Sequence, residues 1–134
     1  MRPTFLFIPG DVMKIVRISQ HNIVPQQDRP NPQRLVAGNP LRHTWPAYDT
    51  ADGVCAAGIW SCETGAWRIA FADNKHEFFA VIRGQVCLTD ESGHAETFGP
   101  GEAAVIPAGF RGEFRVLAPV SKYYVIVTAA APVV

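Results

Sequence analysis

Long apolar runs are missing from this sequence. The one near its start, Phe5 to Ile8, is broken at once by Pro9-Gly10. That is too short for the apolar region of a signal peptide, and no later stretch approaches the length of a membrane span. The expectation is a cytoplasmic protein without a membrane partner. Charge of one sign is also missing. Twelve Lys and Arg face twelve Asp and Glu, so no net field draws the chain towards nucleic acid or an anionic surface. Cysteine is scarce and odd in number: Cys55, Cys62 and Cys87 show no CxxC spacing, which argues against a disulfide framework or a zinc site. Helical periodicity is absent as well, because no long window keeps a 3.6 repeat free of Gly or Pro.

What remains is strand chemistry. At 134 residues the chain fits one domain, burying roughly 65–70% of the surface its unfolded form exposes. Five of the eleven prolines fall between Pro25 and Pro46. Proline fixes an extended backbone and removes amide donors, so residues 1–52 are predicted to hold an extended arm, neither helix nor inner strand, anchored by Trp45 and Tyr48. The arm would pack on the barrel or on a partner subunit. Met13-Lys14-Ile15-Val16-Arg17 resembles a chain start, which gives the expectation that residues 1–12 are a mobile or wrongly assigned extension.

From residue 53 to 134 the pattern is of short runs rich in Val, Ile and aromatics, broken by turns about every ten residues. The predicted strands are 53–60, 66–71, 77–82, 85–89, 95–98, 103–106, 113–117 and 122–128, with a hairpin loop at Asp90-Glu91-Ser92-Gly93. Eight such strands imply an all-β jelly-roll sandwich or barrel. The run EFFAVI over residues 77–82 is apolar on both faces beyond Glu77. One face can fill the barrel and the other needs a cover, which predicts a homodimer.

Two spaced patterns sharpen this. Glu77 is followed by Gly84, and Gly101 is followed by Pro107, Ala108 and Gly109. Together they resemble the two signature motifs of the cupin superfamily of small jelly-roll barrels. More narrowly, GIWSCETGAWRIAF, HEFFAVIRGQVCLTDESGHAETFGPGEAAVIPAGFRGEFRVL and VSKYYVI resemble the subgroup that includes (S)-ureidoglycine aminohydrolase and the ethanolamine-utilisation Q protein. The resemblance covers about residues 53–128 and implies a single-domain cupin barrel. Its metal-binding members carry two histidines before the glutamate and one after the second motif. Those positions here are Ala70 and Ala72, or Phe71 and Asp73 under the other spacing, and Gly112. A divalent metal needs about three fitting protein donors, so no metal and no other cofactor is expected. A metal held by rearranged ligands is the alternative. His21, His43, His76 and His94 read as surface histidines, with His43 left open should the arm cross the barrel mouth.

Glu77 faces inward among Phe79, Phe71 and Trp67, where an unpaired carboxylate would be strongly destabilised. Lys122 is its first candidate partner, because the subgroup carries a lysine followed by a tyrosine there, and Arg68 is the second. The plainer alternative makes Glu77 a structural carboxylate tied to backbone amides and leaves Lys122 or Arg68 at the surface. The sharper reading is a metal-free pocket in which Glu77, Lys122 and Tyr124 converge between Trp67, Arg68, Phe71, Phe79, Phe110 and Phe114. Such a pocket suits a small polar metabolite. It would serve either a binding module or an enzyme acting on a nitrogenous or sugar-like metabolite, with Glu77 as base and Tyr124 or Lys122 as acid.

Overall fold

The computed structural model describes residues 12–130. Most of the stretch read as a separable extension therefore lies outside the described residues. Nine strands form one strongly curled sheet: β1 (Gln26–Asp28), β2 (Leu35–Ala37), β3 (Arg42–Asp49), β4 (Cys55–Cys62), β5 (Gly65–Ala70), β6 (Lys75–Asp90), β7 (Ala95–Phe98), β8 (Ala103–Ile106) and β9 (Arg111–Thr128). A 3-10 turn at Pro32–Arg34 precedes β2. Every pairing is antiparallel. One run of neighbours is β1-β3-β4-β9-β5-β2, while β6 pairs with β7, β8 and β9. This is the all-β jelly-roll architecture expected from the turn spacing. No helix among the described residues is long and apolar enough to cross a membrane.

Two pairs of predicted strands are continuous. Residues 77–82 and 85–89 belong to β6, and 113–117 and 122–128 belong to β9. The gaps between those predicted strands, which hold Gly84 and Pro119, are bends where the register shifts between Val81 and Val86. Gly84 has φ +82°, and a Cβ there would strike the Pro119 carbonyl oxygen. A glycine thus lets two long strands fold over at one crossing, turning a flat ribbon into a barrel wall. The hairpin at residues 90–93 forms as expected: Asp90 Oδ1 accepts from the Ser92 and His94 amides, and Gly93 takes φ +89°.

The proline-rich segment departs from the sequence reading. Residues Arg42–Asp49 form an eight-residue strand paired along β4, and β1 bonds its other side over Arg42–Thr44. Proline at position 46 is tolerated because β1 stops at Thr44, so the strand is an edge there, and the register shifts between Pro46 and Tyr48. The tether is also different. Pro30 and Pro40 are buried, whereas Tyr48 is exposed and Trp45 is half-buried in a stack with His43. The 52/53 position lies in the tight connection between β3 and β4, two strands of one sheet.

The core sits between the two halves of the curled sheet. Phe79 and Val86 from β6, Trp67 from β5, and Phe114, Val116 and Val120 from β9 fill it. Strand alternation puts Phe78 and Ile82 outside, 44% and 40% exposed, while Phe79 and Val81 are buried.

Candidate functional site

Three rows of side chains cross the concave face. Thr44, Trp60, Lys122 and Val81 form the first by direct strand pairing. Pro46, Gly58, Tyr124, Phe79 and Ala104 form the second, and Ala56, Ile126, Glu77 and Ile106 the third. Trp67 and Ile69 on β5, with Phe71 just beyond it and Phe114 on β9, raise a side wall. The result is an open cavity of about 310 Å³. Gly58 is required here, since a Cβ would lie 2.7 Å from the Tyr124 hydroxyl oxygen and would overlap the Trp45 carbonyl.

Lys122 and Glu77 stand two rows apart, and the lysine stem runs along the strands past the middle row. Its ammonium donates to Glu77 Oε2 at 2.7 Å with both side chains buried. Three rings surround the same ammonium: Phe79 at 4.5 Å, Trp60 at 4.7 Å and Phe114 at 4.9 Å from Nζ to centroid. The negative ring faces and the carboxylate together replace the water the cation has lost. Tyr124 lines the cavity beside them. Burial, then the charges of Asp49 and Glu77, push its phenol above the usual range, so it stays protonated as a donor.

Among the predicted site residues, Glu77, Lys122, Tyr124, Trp67, Phe71 and Phe114 converge on this cavity. Phe79 lies beneath Lys122 in the core. Arg68 and Phe110 are corrections. Arg68 is exposed and pairs in register with Glu113, because the alternation that turns Trp67 and Ile69 inward turns it outward. Phe110, in the turn before β9, lines a different depression with Leu88 and Phe98. His43 is not at the cavity either: it stacks on Trp45 and meets Gln27 on the other face of β3. His76 and His94 are exposed.

Of the cavity residues that escaped the sequence reading, three carry a charge or an indole ring. Arg42 was missed because its segment was not taken for a strand. Its guanidinium lies 5.3 Å over the Trp67 ring and is clamped by Asp28, Nε to Oδ1 at 2.8 Å and Nη2 to Oδ2 at 2.6 Å. Trp60 was inside a predicted strand but its face was not assigned. Lys75, two residues before Glu77 and so on the same face, was legible from alternation. Its ammonium lies 4.3 Å over the Phe71 ring.

The residues do not fit the divalent metal that cupin resemblance would bring. Ala70 and Ala72 offer no donor, and Asp73 is exposed in a loop. Position 112 is closed to any side chain, since a Cβ there would overlap the Thr89 carbonyl oxygen. The remaining donor, Glu77, already binds an ammonium that would repel a cation. Among the described residues no three His, Cys, Asp or Glu side chains gather closely enough to hold a metal ion.

The second motif keeps its shape without the ligand. Gly101 and Gly109 have φ +83° and +75°. Gly101 N–H donates to the Val81 carbonyl at 3.0 Å, and Gly109 N–H to the Ala72 carbonyl at 3.0 Å. The turn thereby fastens β8 to β6 and to the β5–β6 connection.

Solved structures place this fold among known ones. A protein of unknown function of the DUF861 family from Pseudomonas syringae pv. tomato is similar with a TM-score of 0.70 and 19% identity, over 82% of this chain and 46% of that one. The chain thus spans about half the length of that protein. The Clostridium difficile EutQ protein is similar with a TM-score of 0.60 and 21% identity, over 85% of this chain and 75% of that one. A putative ethanolamine utilization protein Q from Salmonella typhimurium gives 0.59 and 18%, over 81% of this chain and 99% of that one. No curated protein matches the chain. Residues 49–124, more than half of the sequence, match the EutQ-like cupin domain, and the chain belongs to that family.

Proposed function

We propose that this cupin binds a small polar metabolite in the β3-β4-β9-β6 cavity, using the Glu77–Lys122 pair where relatives of the metal-binding type would use a metal. The observation that carries this reading is a buried ion pair on the floor of an open, aromatic-walled cavity. Burying two charges usually costs as much as their attraction returns, so such a pair is a poor device for stability alone. Convergent polar groups between apolar walls are what orients a small ligand. The protein acts in the cytoplasm, in keeping with its three free thiols, and as a homodimer through its apolar outer face.

The test is thermal-shift screening of the purified protein against ureido compounds, amino acids and sugars. At least one class should raise the melting temperature, and Glu77→Gln should abolish that rise. If Glu77→Gln left both binding and any activity unchanged, the pocket reading would fail. Close to one equivalent of metal per chain by elemental analysis would overturn its metal-free part.

A second reading is an enzyme acting on a nitrogenous or sugar-like metabolite. It is favoured by the protonated Tyr124 phenol next to a carboxylate, a donor and acceptor pair suited to proton transfer. Turnover detected by product analysis, lost in Tyr124→Phe, separates it from a binding module.

A further inference from the structure

Three cations line the cavity, Arg42, Lys75 and Lys122, against one carboxylate, Glu77. Two of the three are already satisfied. The Nε and Nη2 donors of Arg42 go to Asp28 and the Arg29 carbonyl, so Asp28 balances its charge, and Lys122 holds Glu77. Lys75 is half-buried and forms no ion pair among the described residues. Glu77 stands one pleat away on the same face, but its Oε2 is taken by Lys122. The cavity therefore offers a single uncompensated positive charge, placed at the Phe71 end of its side wall.

The wall itself is long and apolar. Trp67, Ile69 and Phe71 occupy alternate positions along one face, spanning about 13 Å of extended backbone. A ligand whose charge meets Lys75 would lay its body along Phe71 and Ile69 towards Trp67, whose buried ring lies under the Arg42 guanidinium and packs on Phe114 at 5.2 Å between centroids. Flat, apolar bodies gain most against such rings.

We propose that the ligand is an organic monocarboxylate with a flat apolar body, its carboxylate bound by Lys75. This rests on the cavity reading above and adds the charge, valence and shape of what enters. One free ammonium suits one negative charge; a phosphate dianion would call for the guanidinium fork that Asp28 already holds.

Three matched probes test it by calorimetry: phenylacetate, phenylacetamide and 2-phenylethylamine. A charge-assisted hydrogen bond to one ammonium should make the acid bind about tenfold more tightly than the amide, and the amine should bind worst. Lys75→Met, which keeps the stem over Phe71, should erase the preference for acid over amide, and Lys75→Arg should keep it. If the amide or the amine bound as tightly as the acid, or if Lys75→Met kept the preference, the carboxylate assignment would fall while the cavity reading stood. Binding by none of the three would overturn the carboxylate assignment with its flat apolar body, while the cavity reading stands or falls on the thermal-shift screen above.

Discussion

The ammonium of Lys122 and the carboxylate of Glu77 meet at 2.7 Å beneath a cavity, from strand positions two rows apart. Neither charge reaches water freely, so each is tolerated because of the other. Removing one partner alone, by Glu77→Gln or Lys122→Met, should destabilise the fold by about 3–5 kcal/mol, the cost of a stranded buried charge. The double variant should recover most of that loss, because Met can pack among the three rings and no charge remains. Denaturant melts of the four proteins provide the cycle. A double variant no more stable than the weaker single one would show that the pair is not coupled as described.

Two glycines with nearly the same backbone angle should respond differently to alanine. Gly84 and Gly93 have φ +82° and +89°, yet a Cβ at 84 meets the Pro119 carbonyl whereas one at 93 meets nothing within 4 Å. Gly93→Ala should cost only the left-handed strain of about 1–2 kcal/mol. Gly84→Ala should cost clearly more and broaden unfolding, because the β6 and β9 bends must separate. Equal losses of melting temperature would contradict a steric role for Gly84.

Alkaline conditions should weaken the protein in a defined window. Burial pushes the Cys62 thiol from 9.0 up to about 12, with Arg42 opposing the shift. The unfolded thiol ionises from about pH 9 while the folded one keeps its proton, so the folded state binds more protons there and stability falls as pH rises towards 12. Below pH 9 this group contributes no slope. Tyr124, also raised by burial, adds to the loss in the same direction above pH 10. The decline measured by denaturant titration should be shallower in Cys62→Ala. Native Cys62 should also resist iodoacetamide at pH 8 and react once unfolded. Rapid native labelling of Cys62 would refute the burial argument.

Much of this was legible in the sequence because period-2 alternation is a strong constraint. With Glu77 inward, alternation turns Phe79 and Val81 inward and Phe78 and Ile82 outward, as the exposures bear out. The same rule, applied to β5, would have excluded Arg68 as soon as Trp67 was placed inside. The segment from Pro25 to Pro46 was misread for a physical reason. Proline does forbid a fully bonded strand, but one edge of β3 is free at Pro46, and sequence does not show where a neighbouring strand ends. Arg42 was lost with that segment. The meeting of Lys122 with Glu77 was reached from resemblance; strand spacing alone would not place residues two rows apart in contact.

The outer face carries the remaining prediction. Val105, Phe78, Val125, Ala57 and Tyr48 form one continuous row by strand pairing, and Ala103, Ala80, Tyr123, Ile59 and Trp45 form the next. Phe78, Val105, Tyr123 and Tyr48 remain 42–63% exposed. Ala57 and Ile59 in these rows are buried, and the exposed side chains around them make an apolar patch of the kind that marks an interaction surface. A second copy packing the same face would form a self-complementary two-fold interface, and stable ones bury about 1,200–2,000 Å² in total. Light scattering should give twice the chain mass. Phe78→Lys should halve it while leaving Glu77, Lys122 and any cavity ligand response intact, because residue 78 points away from residue 77. A monomer mass for the unaltered protein at micromolar concentration would count against the dimer and leave this face without its proposed cover.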